Sequence, residues 1–166
     1  MKKTGEKNYR NEFEKVVVNS GIGRLSINTP GFEDKLLPEI MKEFTAITAQ
    51  KGMTRPAKKS IAGFKTREGN IVGIKATLRG KRMVDFLNRI IKIILPRLRD
   101  FRGIDINNVD THGNLSIGLR DHVVFPEINQ ENSRAAFGVE ITIVPRVRNR
   151  DMAIETYREL GIPFQR

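Results

Sequence analysis

The sequence predicts an α+β fold: an antiparallel sheet with helices on one face and an open, polar opposite face. Three observations predict it. Residues 71–80 and 138–144 alternate apolar with polar at a period of two, which marks strands with one buried side. Residues 81–98 carry Met83, Phe86, Leu87, Ile90, Ile91 and Ile94 at the i, i+3, i+4, i+7, i+8, i+11 spacing of an amphipathic helix. The strands alternate rather than being apolar throughout, so helices need cover only one face.

The elements follow in order. Residues 1–12 are polar and read as a poorly ordered leader. From Glu14 to Gly21 the run Val16-Val17-Val18 reads as a strand ending in the turn Ser20-Gly21-Ile22-Gly23. Val16 and Val18 fall on one side, and Lys15, Val17 and Asn19 on the other. Residues 33–48 place Leu36, Leu37, Ile40, Met41, Phe44 and Ile47 at helical spacing. Pro38 fits only the first turn of such a helix, which therefore starts within about two residues before it. Residues 51–70 are basic and interrupted by glycines and a proline; they read as a short strand at 53–57 followed by an extended, mobile loop. In the strand at 71–80, Val72, Ile74, Ala76 and Leu78 face the core, while Gly73, Lys75, Thr77 and Arg79 face away. The helix at 81–98 should kink or end at Pro96 and leave a basic tail reaching Gly103. Residues 114–119 form a strand with Leu115, Ile117 and Leu119 on one face. Val139, Ile141 and Ile143 point inward from the strand at 138–144, and an irregular, partly buried connection at 123–128 lies between the two. A last helix spans 151–160, capped by Asn149 or Asp151, with Gly161 at its end and Pro163 beyond.

At 166 residues with 39% hydrophobic content, the chain reads as one folded domain spanning 1–166. The net charge is +11, and it is localised. Residues 51–102 hold 15 Lys and Arg against 3 Asp and Glu, a net of +12; the remainder holds 15 against 16, a net of −1. A localised cationic field attracts a polyanion, because each neutralised phosphate releases counterions. No apolar run approaches a membrane span, so no membrane partner is expected. The chain has no cysteine, which excludes disulfides, thiol catalysis and cysteine-bearing zinc sites. The first 25 residues lack the apolar segment of a secretory signal.

An outward strand face bearing Asn19, Lys75, Thr77 and Arg79 suits RNA. Arginine forks onto phosphate, and Thr and Asn suit sugars and base edges. A solvent-facing strand is often merely polar, and it is the charge of the middle segment that tips the balance. The loop at 58–67 carries Lys58, Lys59, Lys65 and Arg67 around Phe64, a pattern able to dock a nucleic-acid backbone and stack on a base or ribose. Phe64 folding back onto the core is the alternative.

Catalysis finds little support. His112 and His122 stand ten residues apart in irregular stretches and read as solvated or structural. Ser20-Gly21-Ile22-Gly23 is not a dinucleotide fingerprint, because Ser26 stands at the third glycine position. Glu33-Asp34 sits at a helix start and complements its dipole. Neither a metal nor a cofactor is expected, and the chain reads as no enzyme.

Several longer motifs resemble a known family. They are Lys15-Val16-Val17-Val18-Asn19-Ser20-Gly21-Ile22-Gly23, then Lys58-Lys59-Ser60-Ile61-Ala62-Gly63-Phe64-Lys65-Thr66-Arg67-Glu68-Gly69, then Lys75-Ala76-Thr77-Leu78-Arg79-Gly80. The stretch from Leu95 to Gly103, Phe125-Pro126-Glu127-Ile128 and Leu160-Gly161-Ile162-Pro163-Phe164 complete the series. In order, from about residue 12 to the C-terminus, these resemble large-subunit ribosomal protein five, the 5S-rRNA-binding family, in its bacterial type.

The resemblance implies a sheet comparable to RNA-recognition folds. It implies a non-enzymatic ribosomal protein, cytoplasmic and on the large subunit, that binds 5S rRNA and attaches it to the central protuberance. Asn19, Gln50, Thr77 and Arg79 look like the family's contact residues, and Lys58, Lys59, Ser60 and Lys75 join them as expected rRNA-binding positions. The loop with Gly63, Phe64, Lys65 and Arg67 looks like the one that reaches P-site tRNA. Further implied partners are 23S rRNA, neighbouring large-subunit proteins and a small-subunit head protein across an intersubunit bridge.

The chain departs from the family in places. Its N-terminus is shorter than the family's usual first helix. The region near Pro30-Gly31-Phe32 is lengthened, and Thr111-His112-Gly113-Asn114-Leu115 replaces Gly-Arg-Gly-Asn-Tyr. Pro145-Arg146 replaces a threonine pair and should end pairing or mark an edge. A non-ribosomal basic RNA-binding or RNA-processing protein on a related fold is the alternative function.

Overall fold

A computed structural model describes residues 6–99 and 101–165, so residues 1–5 of the expected leader and Asp100 of the basic tail lie outside the described residues. The strands are β1 (Phe13–Gly21), β2 (Met53–Pro56), β3 (Ile71–Leu78), β4 (Leu115–Leu119) and β5 (Val139–Pro145). The helices are α1 (Glu6–Glu12), α2 (Gly23–Asn28), α3 (Phe32–Lys35), α4 (Leu37–Thr48), α5 (Gly80–Arg89), α6 (Leu95–Arg97) and α7 (Arg150–Glu159). The strands form one antiparallel sheet in the order β2-β3-β1-β5-β4, so the α+β expectation holds. By internal contacts the chain divides into two compact units, Met1–Val17 with Thr77–Ile117 and Ile141–Arg166, and Val18–Ala76 with Gly118–Glu140.

The first unit is built on stacked rings. Phe13 lies 5.6 Å from Tyr157 between ring centroids, and Tyr9 lies 6.3 Å from Phe13. Tyr9 explains why α1 is a helix where sequence suggested a poorly ordered leader: its ring is buried, and α1 packs on α5. α5 buries Met83, Val84, Phe86 and Leu87, each large side chain contributing about 1.5–3 kcal/mol relative to exposure. Pro96 kinks the helix without ending it there. The π turn Ile90–Ile94 carries the Leu95 N–H back to the Ile90 carbonyl. Pro96 has no N–H to offer Lys92, and the wider turn accommodates its ring. Asn149, not Asp151, caps α7, accepting from the N–H groups of Asp151 and Met152. Gly113 has φ +83°, and a Cβ there would lie 2.7 Å from that of Ala153, so only glycine fits beside α7. Pro145 ends β5 and does not mark an edge, since β5 lies between β1 and β4. Arg146 still donates its N–H to the Glu12 carbonyl at 2.8 Å.

The second unit buries Ile40, Phe44 and Ile47 of α4 with Ile22, Ile74 and Phe125. α4 starts one residue before Pro38, as expected. β2 pairs antiparallel with β3, Met53 facing Lys75 and Arg55 facing Gly73. His122 is fully buried and stacks on Phe137 at 3.8 Å. Its Nε2 lies 3.0 Å from the Glu43 carboxylate and 3.1 Å from the Ser133 hydroxyl, so this histidine is structural. The 57–70 segment is not the extended loop expected. Ile61 and Thr66 exchange both backbone hydrogen bonds, Lys65 turns through φ +51°, and the Ser60 hydroxyl accepts from the Glu68 N–H at 2.9 Å. Glycines at a turn let the chain close back on itself here.

Candidate nucleic-acid interface

Alternation places the strand side chains as expected. On β1, Val16, Val18 and Ser20 are buried while Lys15, Val17 and Asn19 stay half-open. On β3, Ile74, Ala76 and Leu78 are buried while Gly73, Lys75 and Thr77 are not. β4 and β5 repeat the pattern, leaving Ser116, Gly118, Glu140 and Thr142 outward. The outward side is therefore low and polar, which lets a nucleic-acid backbone approach closely.

In the second unit, Asn19 borders a shallow groove of about 260 Å³ with Gly21, Gly118, Gly138 and Glu140. A Cβ at Gly21 or Gly118 would meet nothing within 4 Å, so the groove floor is bare backbone. Gln50 follows Ala49, the left-handed residue that ends α4, and its carbonyl accepts from the Thr48 hydroxyl at 2.7 Å. It is half-buried.

In the first unit, Thr77 is the last outward residue of β3. Arg79 lies one residue past the strand, as the N-cap position of α5 in extended conformation, not within the strand as sequence suggested. Parity survives because the backbone remains extended. Its guanidinium donates to Glu14, whose carboxylate also accepts from Arg148 at 3.4 Å. Arg10, Arg79 and Arg146 surround a pocket of about 320 Å³. Hydrogen bonding and charge from Lys15, followed by Arg79, hold the Glu14 carboxyl below its ordinary range. α5 begins with no acidic residue and no side-chain cap; Lys81 and Arg82 stand where helices ordinarily carry acids. Neither Glu14, Arg10, Arg146 nor Arg148 was singled out from sequence, because they come together only through tertiary pairing.

The loop gathers Lys58, Lys59, Phe64 and Thr66 around one groove, with Ser60 tying the loop and Gly63, Lys65 and Arg67 at its exposed tip. Phe64 is 72% exposed, which excludes its folding back onto the core. Among the described residues, Lys58, Lys59, Lys65, Arg67 and Lys75 have no ion-pair partner, so their charge is unneutralised. Arg24, Ile27 and Ile61 line the same groove and were not anticipated; Arg24 and Ile27 sit on α2, too short for helical periodicity to reveal. Among the described residues, no group of three His, Asp or Glu side chains is arranged to hold a metal ion, and no helix is long and apolar enough to cross a membrane.

Residues 71–164 match the C-terminus of the ribosomal uL5 family. A large ribosomal subunit protein uL5 from Pseudothermotoga lettingae is 46% identical over 166 residues, covering 97% of this chain and 88% of its own length. The uL5 of Fusobacterium nucleatum is 43% identical over 155 residues, 93% and 82% of the two chains. That of Carboxydothermus hydrogenoformans is 39% identical over 168 residues, 100% and 91%.

Proposed function

This chain belongs to the ribosomal uL5 family, and on that footing we propose that it docks 5S rRNA through the outward faces of β1 and β3 and meets P-site tRNA through the 58–67 loop. Family membership makes it a structural constituent of the large ribosomal subunit and not an enzyme. The finer reading rests on one observation: each of these two strands turns one side to the core and leaves on the other a half-open row that includes Lys15, Asn19, Lys75 and Thr77. Such a row suits the broad minor groove of A-form RNA, whose hydroxyls and phosphates are read by short polar and cationic side chains. Unneutralised lysines on the neighbouring loop supply the salt-dependent part of affinity. Attachment of 5S rRNA to the central protuberance, contact with 23S rRNA and neighbouring proteins, and the intersubunit bridge belong to the same proposal and rest on the resemblance.

The test is 5S rRNA binding by Asn19→Ala and Thr77→Ala. Both positions are half-open, so the fold should persist. Each substitution should weaken binding by about 1–2 kcal/mol. Unchanged affinity in both would overturn the strand-face reading.

A further inference from the structure

We propose that the groove between α2 and the 57–66 loop receives the apolar face of an acidic, amphipathic helix from a partner protein. The groove holds about 600 Å³ and is floored by Ile27, Ile61, Phe64 and Val72. Ile61 is 50% exposed, and α2 has no fully buried residue although it carries Leu25 and Ile27. A contiguous apolar patch left open in this way marks an interaction surface. It is also preformed. The Ile22 N–H bonds to the Val72 carbonyl at 3.0 Å where α2 begins, and the Ile61–Thr66 pair closes the opposite wall.

Two features select the occupant. The lining is almost wholly apolar, so a nucleobase entering it would leave the hydrogen-bonding groups of its edge without partners. A row of aliphatic side chains has no such cost, and the volume suits several of them at i, i+3, i+4 and i+7 rather than one ring. The rim carries Arg24, Lys58 and Lys59, all exposed and none with an ion-pair partner among the described residues. Carboxylates flanking the apolar row complement them. The occupant is thus a protein helix with a leucine-type stripe bordered by Asp or Glu. This surface is separate from the proposed 5S contacts on β1 and β3.

The experiment uses the full chain and a fluorescent model helix with Leu at i, i+3, i+4 and i+7 and Glu on both flanks. Its control is a scrambled peptide of the same composition, which keeps the charge and loses the stripe. Anisotropy at fixed salt should show the patterned peptide binding about tenfold more tightly than the scrambled one. Ile61→Ser, at an exposed position and checked by thermal unfolding, should erase that difference. Arg24→Glu should weaken the patterned peptide independently of any effect of Ile61→Ser on folding. Equal binding of both peptides, or no binding, overturns the proposal. So does an unstructured RNA oligonucleotide whose binding depends on Ile61, or self-association of the chain that Ile61→Ser abolishes; these would assign the groove to RNA or to a second copy.

Discussion

The guanidinium of Arg79 donates to both the backbone carbonyl of Glu14 at 3.3 Å and its carboxylate at 3.4 Å. The tie is exposed, with 57% of the Arg79 side chain accessible. Exposed ion pairs of this kind are weak. Glu14 therefore holds Arg79 in an extended pose without competing strongly with an RNA phosphate. Arg79→Ala should weaken 5S rRNA binding by roughly 1–3 kcal/mol. Filter binding at fixed salt checks this, and unchanged affinity would count against Arg79 as a contact.

Glu14 itself is the negative charge in an otherwise cationic neighbourhood. Glu14→Gln should raise RNA affinity by about two- to fivefold. The pH dependence has a definite sign. A depressed carboxyl value means that the pairing is present above the ordinary glutamate value of 4.5 and lost as pH falls through the lower folded value. A carbon-detected NMR titration of Glu14 should place its midpoint below 4.5, and Arg79→Ala should move it upward. A midpoint at or above 4.5 would show that the ties to Lys15 and Arg79 do not persist in solution.

Loop and strand contacts are separable. Deleting part of residues 63–69 removes the tip of the small hairpin but no strand residue. Binding to 5S rRNA should survive, while tRNA protection on assembled ribosomes should fall. If 5S binding collapses instead, the loop belongs to the 5S contact.

Tyr157 anchors the first unit through more than its ring. Its hydroxyl donates to the Gly113 carbonyl at 2.8 Å and lies 3.3 Å from that of Ile143. Burial pushes the phenol's pKa up, so it remains a donor across the working pH range. Tyr157→Phe keeps the stacked rings and strands both carbonyls. It should cost about 1–2 kcal/mol in urea unfolding. A loss within error would mean that water replaces the hydroxyl.

Much of this architecture was legible because period-two and period-3.6 patterns are local. Val16 and Val18 against Lys15 and Asn19, Ile74 and Ala76 against Lys75 and Thr77, and the Asn149 cap all follow from neighbouring residues alone. What stayed hidden depends on distant ones. α1 forms around Tyr9, whose partner Phe13 begins a strand. α2 is six residues long and uncapped, too short to show a stripe. His122 looked like an isolated histidine; its partner Glu43 lies 79 residues away in sequence. The 57–70 hairpin closes through hydrogen bonds that composition does not encode, and composition therefore suggested an extended loop. Among candidate contacts, the residue types of the strand faces were readable, whereas the Glu14 tie on Arg79 and the groove walls from α2 were not.

The most direct test of the central claim is binding of the purified chain to 5S rRNA, against a length-matched structured RNA, across a salt titration. Selective binding to 5S rRNA, weakening steeply with salt and retaining its preference over the control, is the predicted result. Equal affinity for both RNAs at every salt concentration would mean that the cationic middle segment attracts RNA without recognising it, and would contradict the account.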